Sequence, residues 1–309
     1  MVMSTYNRRT FLQQSIALTA TAAAVQAVRP SANALAVATQ PSTGFDHPFF
    51  AAAKNRLEVI AHRGGAGEWP PETLFAFTEA VKIGVDVLEM DVYLTKDQHL
   101  VLMHDETVDG TTNGHGQIRK LTLAQLKKLD AGYRWTNDGG KTFPHRSKGI
   151  TVPTLKEIFE AFPTMRMNIE MKSSSVSPVK ALSRLIDEHK MTNNVLVASF
   201  SDQFLEDFRK LSPDVATSMS TPELLHFVLK KTLPQTHTRQ PDAVQLRDRI
   251  TVVNLVSKTL VNKAHTLNLP VHAWTVNNVS DMKRVIALGV DGIITDYPTR
   301  LVKLVKPNG

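Results

Sequence analysis

The residues able to do chemistry in this 309-residue chain gather in two short stretches, Val59–His104 and Ile169–Lys172. Glu89 and Asp91 stand two apart in the apolar run Val85–Val92. In a strand, alternate side chains share a face, so both acids project together while Leu88 and Met90 point the other way. Two carboxylates on one face of an apolar strand are costly unless a cation or a proton neutralises them. Glu170 and Lys172 repeat that spacing, His62-Arg63 follows the apolar run Leu57–Ala61, and His104 follows His99–Met103. Three acids without a cysteine fit one hard divalent cation, Mg²⁺ or Ca²⁺ rather than zinc. Arg63 as a planar fork and Lys172 as a point charge suit a phosphate. His62 and His104 suit a general base and a general acid near neutral pH. The competing interpretation is a salt-bridge network, but burying five charges as scaffolding alone is unfavourable.

Positioning these groups requires strands that deliver them to one place. From Leu57 onward, apolar runs of four to six residues alternate with amphipathic stretches. Strands are predicted at Leu57–Ala61, Val85–Val92, Arg166–Met171, Asn194–Phe200, Val215–Met219, Ala243–Leu246, Val271–Val276 and Asp291–Thr295. Helices are predicted between them, such as Thr73–Ile83 with its Leu74, Phe77, Ala80, Val81 stripe. Eight β/α alternations over about 250 residues match an α/β fold of the TIM (β/α)8 barrel type; a doubly wound sheet is the alternative. In such a barrel, functional groups come from the C-terminal ends of strands. His62, Arg63, Glu89, Asp91, Glu170, Lys172, Trp274 and Asp296 all fall at such ends, and His104 ends an extension of the second. The second connection is unusually long: about residues 105–149 form a small insertion after the second strand, placed over the barrel mouth as a lid.

The first 34 residues read differently. Asn7-Arg8-Arg9-Thr10-Phe11-Leu12 precedes a mild apolar run, Ser15–Val28, and the small-x-small sequence Ala32-Asn33-Ala34. That order is an export signal of twin-arginine type over residues 1–34, with an alternative cut after Ala38. The expectation is a periplasmic or secreted protein over residues 35–309, without a stable membrane anchor, since the apolar run is too short to span a bilayer. The formal charge of +7 is no nucleic-acid signature. Arg8, Arg9 and Arg29 lie in the acid-free leader, and the other basic residues are interspersed with acids.

The ordered set of motifs resembles the glycerophosphodiester phosphodiesterase family. It comprises His62-Arg63-Gly64, the Pro-Glu-Thr-Leu run at Glu72, Glu89-Met90-Asp91, His104-Asp105, Thr111-Thr112-Asn113-Gly114, Ile169-Glu170-Met171-Lys172, His272-Ala273-Trp274-Thr275-Val276-Asn277 and Gly289 to Pro298. The resemblance implies a TIM barrel and hydrolysis of small-molecule glycerophosphodiesters to sn-glycerol 3-phosphate and an alcohol. It also implies a divalent cation at Glu89, Asp91 and Glu170, and His62 and His104 as the acid/base pair. Arg63 and Lys172 would bind phosphate, with Trp274 lining the site. Two positions depart from the pattern. Pro71 stands where the family has Glu and Glu72 where it has Asn, leaving Glu72 without an assigned role; Gly110 stands where an Arg often precedes Thr-Thr-Asn. The nearest rival is a phospholipase D-like enzyme acting on lysophospholipids or sphingolipids, whose apolar apron could draw on Tyr133, Trp135 and Phe143. A phosphodiester-binding protein without turnover is the reading from another class.

Overall fold

The computed structural model describes residues 44–53, 56–172, 174–230, 232, 239–251 and 253–306. The export signal expected over residues 1–34 lies outside them. Among the described residues, no helix is long and apolar enough to cross a membrane.

Strands β1 (Glu58–Ala61), β2 (Val87–Leu94), β4 (Arg166–Met171), β5 (Val195–Ala198), β6 (Ala216–Thr217), β7 (Val244–Arg247), β10 (Val271–Trp274) and β11 (Gly292–Thr295) form one parallel sheet. Its order is β6-β5-β4-β2-β1-β11-β10-β7, with β3 (Leu100–Leu102) antiparallel against β2. The sheet curls until its edge strands meet. Ser218 and Ala243 form a parallel bridge, supported by Asp242 N donating to Thr217 O at 2.8 Å and Met219 N to Ala243 O at 3.1 Å. Each strand of the predicted set is present. A two-residue hairpin, β8 (Arg249–Ile250) with β9 (Val253–Asn254), is additional and too short to leave a periodic signal.

The alternation expected in β2 is observed. Leu88, Met90 and Val92 pack into the large cluster between sheet and helices, while Val87 joins the cluster with Ile60, Leu196, Ala216, Ala243 and Ile294. Glu89 and Asp91 share Val87's face, so they point inward. The lower end of that interior is filled by Phe49 and Phe50 from a 3-10 turn, both fully buried. Beside them lie Glu58 and His272, also fully buried. Arg166 pairs with Glu58 and donates to the Phe49 carbonyl at 3.0 Å.

Helices α1 (Leu74–Lys82), α2 (Leu123–Leu126), α3 (Leu155–Ala161), α4 (Val179–Glu188), α5 (Asp202–Leu211), α6 (Thr221–Leu229), α7 (Lys258–Thr266), α8 (Val279–Leu288) and α9 (Pro298–Val305) follow in order. Side-chain caps set the starts of α1, α2, α3, α5, α6 and α7. Thr73 accepts from Ala76 N, and Thr154 with Glu157 and Ser220 with Glu223 form capping boxes. Between β3 and α3 the chain builds a small cluster of its own, with Val108, Ile118, Leu126 and Ala131 packed against Tyr93 and Val101. Trp135 ties this segment to the loop after β1 by donating from Nε1 to Ala66 O at 3.1 Å.

Candidate active site

β1 ends at Ala61, and the chain turns at once. Arg63 sits at φ 54° and Gly65 at φ 104°, which swings His62 and Arg63 over the strand ends. His62 is held from both sides. Its Nδ1 lies 2.5 Å from Asp296 Oδ1 beyond β11, and its Nε2 lies 3.9 Å from Glu89 Oε2. Asp296 is fixed in turn by Asn277, whose Nδ2 donates to Asp296 Oδ2 at 2.7 Å and whose Oδ1 accepts from Asp296 N at 2.9 Å. With a carboxylate at Nδ1, the proton resides there and Nε2 is left as the acceptor. Burial pushes the His62 pKa below its ordinary value; the Asp296 bond opposes that shift without cancelling it.

Arg63 and Lys172 interleave with the acids. Arg63 N donates to Glu89 Oε2 at 2.9 Å and its Nε lies 3.2 Å from Asp91 Oδ2. Lys172 Nζ lies 3.0 Å from Asp91 Oδ1 and 2.8 Å from Glu170 Oε1. Burial alone would raise the Asp91 carboxyl, but Lys172 and Arg63 outweigh it and hold Asp91 below the usual range. Burial likewise works against the Lys172 ammonium, and Asp91 and Glu170 more than compensate, raising its pKa. Glu89 moves the other way: burial, reinforced by Asp91, pushes it well above the ordinary carboxylate value.

Glu72 joins the site. Its backbone stands at φ 59°, and its Oε1 accepts from Asp91 N at 3.0 Å. A left-handed conformation is one that Asn tolerates and Glu adopts at a cost of roughly 1–2 kcal/mol. This explains why the position that reads as the motif's Asn still delivers a side chain to the acids. Glu72 is buried, Oε2 has no hydrogen-bond partner among the described residues, and burial with the neighbouring Asp91 raises its pKa well above the usual range.

Among the described residues, no group of three His, Asp or Glu side chains stands ready-made as a metal shell. The expected trio of Glu89, Asp91 and Glu170 reaches one mouth, but Arg63 and Lys172 are wedged between its members. The chemistry of the donors nevertheless fits a hard cation. Three buried carboxylates, Glu72, Glu89 and Asp91, and the half-buried Glu170 face two cationic side chains, and the two carboxyls raised furthest are those with least cationic compensation.

His104 stands beyond β3 with Nδ1 2.8 Å from Asp105 Oδ1. That bond holds the Asp105 carboxyl below its usual range. Trp274 is half-buried, its Nε1 donating to Gln245 O at 3.2 Å. The sequence places Asp296 among the groups at the strand ends without a specific role and singles out neither Asp105 nor Asn277, although all three stand inside the motifs quoted above.

A curled α/β sheet with two carboxylate-tethered histidines, two cations and four acids at the C-terminal strand ends defines a phosphodiester hydrolase. Comparison with known proteins gives the same class. Residues 62–300 match the model of the glycerophosphoryl diester phosphodiesterase family. A glycerophosphodiester phosphodiesterase from Caldanaerobacter subterraneus subsp. tengcongensis is 36% identical over 260 residues, covering 81% of this chain and 98% of that protein. A human lysophospholipase D is 29% identical, covering 78% of this chain and 84% of that protein. A solved structure, an Oleispira antarctica phosphodiesterase in complex with the product sn-glycerol-3-phosphate, superposes with a TM-score of 0.67 at 26% identity, covering 81% of this chain and 96% of that one. The chain belongs to the glycerophosphoryl diester phosphodiesterase family. Proteins of this family generally use a divalent cation.

Proposed function

We propose that this enzyme hydrolyses glycerophosphodiesters to sn-glycerol 3-phosphate and an alcohol, with His62 and His104 transferring the protons. The observation that carries the reading is the Asp296–His62–Glu89 line across the mouth. It leaves a neutral imidazole with its Nε2 facing the charged groups. His62 takes the proton from the attacking oxygen, either water or the substrate's own 2-hydroxyl; the second route gives a cyclic phosphate that a water then opens to sn-glycerol 3-phosphate. The phosphorus–oxygen bond to the alcohol breaks, and His104, steadied by Asp105, returns a proton to the leaving alkoxide. Arg63 and Lys172 bind the phosphoryl oxygens and offset the charge that grows on them. Glu89, Asp91 and Glu170, with Glu72 beside them, would hold a Mg²⁺ or Ca²⁺ ion, whose chemistry is neutralisation of phosphoryl charge.

A lipid-directed activity would need a free apolar apron. Tyr133 and Phe143 are instead occupied by the Arg146 guanidinium, at 4.1 and 4.0 Å from the ring centroids, and Trp135 by His145 at 5.0 Å. That packing favours water-soluble diesters over lysophospholipids. We read residues 105–149 as the family's insertion after the second strand, which shapes the mouth. We read residues 1–34 as a twin-arginine-type export leader, giving a periplasmic or secreted enzyme.

The test is a coupled assay for sn-glycerol 3-phosphate released from glycerophosphocholine. His62→Ala and His104→Ala should each lose at least about 10²-fold in rate. Near-normal turnover in both would overturn the assignment.

A further inference from the structure

The barrel's register shows which inward side chains share a level. Trp274 pairs with Arg247 and His272 with Gln245, and Gln245 Nε2 meets His272 Nδ1 at 3.5 Å. Gln245 and Arg247 therefore lie on the inward face of β7, as His272 and Trp274 do on β10. Arg247 ends its strand at the same open rim where Glu170 and Lys172 end β4. The rim divides into two halves. The acids, Arg63 and Lys172 come from the ends of β11, β1, β2 and β4, whereas Phe200, Arg247 and Trp274 come from the ends of β5, β7 and β10. The Arg247 guanidinium lies over the Trp274 ring at 4.8 Å. Phe200, just beyond β5 and 53% exposed, meets Trp274 edge-on at 6.0 Å, a contact that reaches past β6 and β7. The following residue, Asp248, is clamped by Arg284 at 2.6 Å, which fixes the end of β7.

We propose that Phe200, Trp274 and Arg247 form a head-group subsite that selects glycerophosphodiesters whose alcohol carries a second anionic group. The proposal rests on the hydrolase reading above. A diester with its phosphate at the charged half must project one substituent over the other half. There the two aromatic rings offer an apolar wall for its carbon skeleton. The guanidinium, stacked on Trp274, places a positive charge on this half of the rim, the charge that suits a carboxylate or phosphate. A quaternary ammonium would bind aromatic faces well, but here one face is taken by a cation that repels it.

Three soluble diesters with the same scissile bond separate the cases: bis(glycerophospho)glycerol (anionic head), glycerophosphoglycerol (neutral) and glycerophosphocholine (cationic). The wild-type enzyme should rank them in that order by kcat/KM. Arg247→Gln should lower the anionic-to-neutral ratio of kcat/KM about tenfold, through KM rather than kcat, with Arg247→Lys restoring most of it. Phe200→Ala should raise KM for all three. A ratio that stays at the wild-type value in Arg247→Gln, in a variant that melts normally, would overturn the subsite, as would a wild-type preference for the choline diester. Turnover of none of the three by the wild type would instead defeat the hydrolase reading, and the subsite with it.

Discussion

His62 Nδ1 and Asp296 Oδ1 lie 2.5 Å apart, joining the end of the first strand to the end of the last. Asn277 clamps the far oxygen of the same carboxylate, so the imidazole has its orientation and tautomer fixed before substrate arrives. Asp296→Asn should therefore lower kcat/KM by at least about 10²-fold. The pH profile carries a second signature. Asp296 raises the His62 pKa against the lowering effect of burial. Its loss should lower that pKa further and move the acid limb of kcat/KM to lower pH. An unmoved limb together with a normal plateau would count against the tether.

The buried acids lead to a prediction about cation removal. Glu72 and Glu89 have folded-state pKa values well above their ordinary value of 4.5. Above pH 4.5 and below those raised values, the folded protein keeps protons that the unfolded chain has released. Stability is therefore lost as pH rises through that window. A divalent cation held by the same carboxylates, as proposed above, would take over the role of those protons. Chelation should abolish turnover, and the drop in Tm it causes should be larger at about pH 8 than at about pH 5. Scanning calorimetry with and without chelator tests this, and identical curves at both pH values would refute it.

Gly110 bears on the second histidine. A Cβ at this position would come within 2.9 Å of Asp105 Oδ2, the partner oxygen to the one 2.8 Å from His104 Nδ1. Nothing closer than that carboxylate stands in the way, so a methyl group displaces Asp105 rather than the fold. Gly110→Ala should slow turnover about tenfold, less than the ~10²-fold expected for outright loss of the general acid proposed at His104, with little change in Tm. Steady-state kinetics beside a thermal melt distinguishes this from simple destabilisation, which would lower Tm and leave the folded fraction's rate intact.

Much of this arrangement was legible in the sequence because a strand has a period of two. Glu89 with Asp91, and Glu170 with Lys172, share inward faces for that reason alone, and the β/α count placed them at one end. Other relationships leave no periodic trace. His62 and Asp296 are 234 residues apart, so their pairing depends on the sheet curling until β11 returns beside β1. Glu72 reaches Asp91 through a left-handed residue, and motif alignment cannot reveal a backbone angle. Arg247 follows an unremarkable apolar strand, and its place at the mouth emerges only from its register with Trp274. At the barrel's lower end, Glu58 opens a strand otherwise read as apolar, and its partner Arg166 comes from β4.

That lower pair makes a prediction about stability. Glu58 is fully buried, paired with Arg166 and 3.4 Å from His272 Nε2. Replacing Arg166 by Met removes the cation and leaves a buried carboxylate beside His272. Breaking one side of such a pair typically costs about 3–5 kcal/mol, whereas removing both charges relieves most of that penalty. Arg166→Met should therefore be strongly destabilising in urea unfolding, and adding Glu58→Gln should recover a substantial part of the loss. The cycle should show a coupling of roughly 1–3 kcal/mol. Strict additivity of the two substitutions would mean that the charges do not interact through the buried contact. Because this pair lies at the end of the barrel away from His62 and His104, kcat measured on the folded fraction should change far less than stability does.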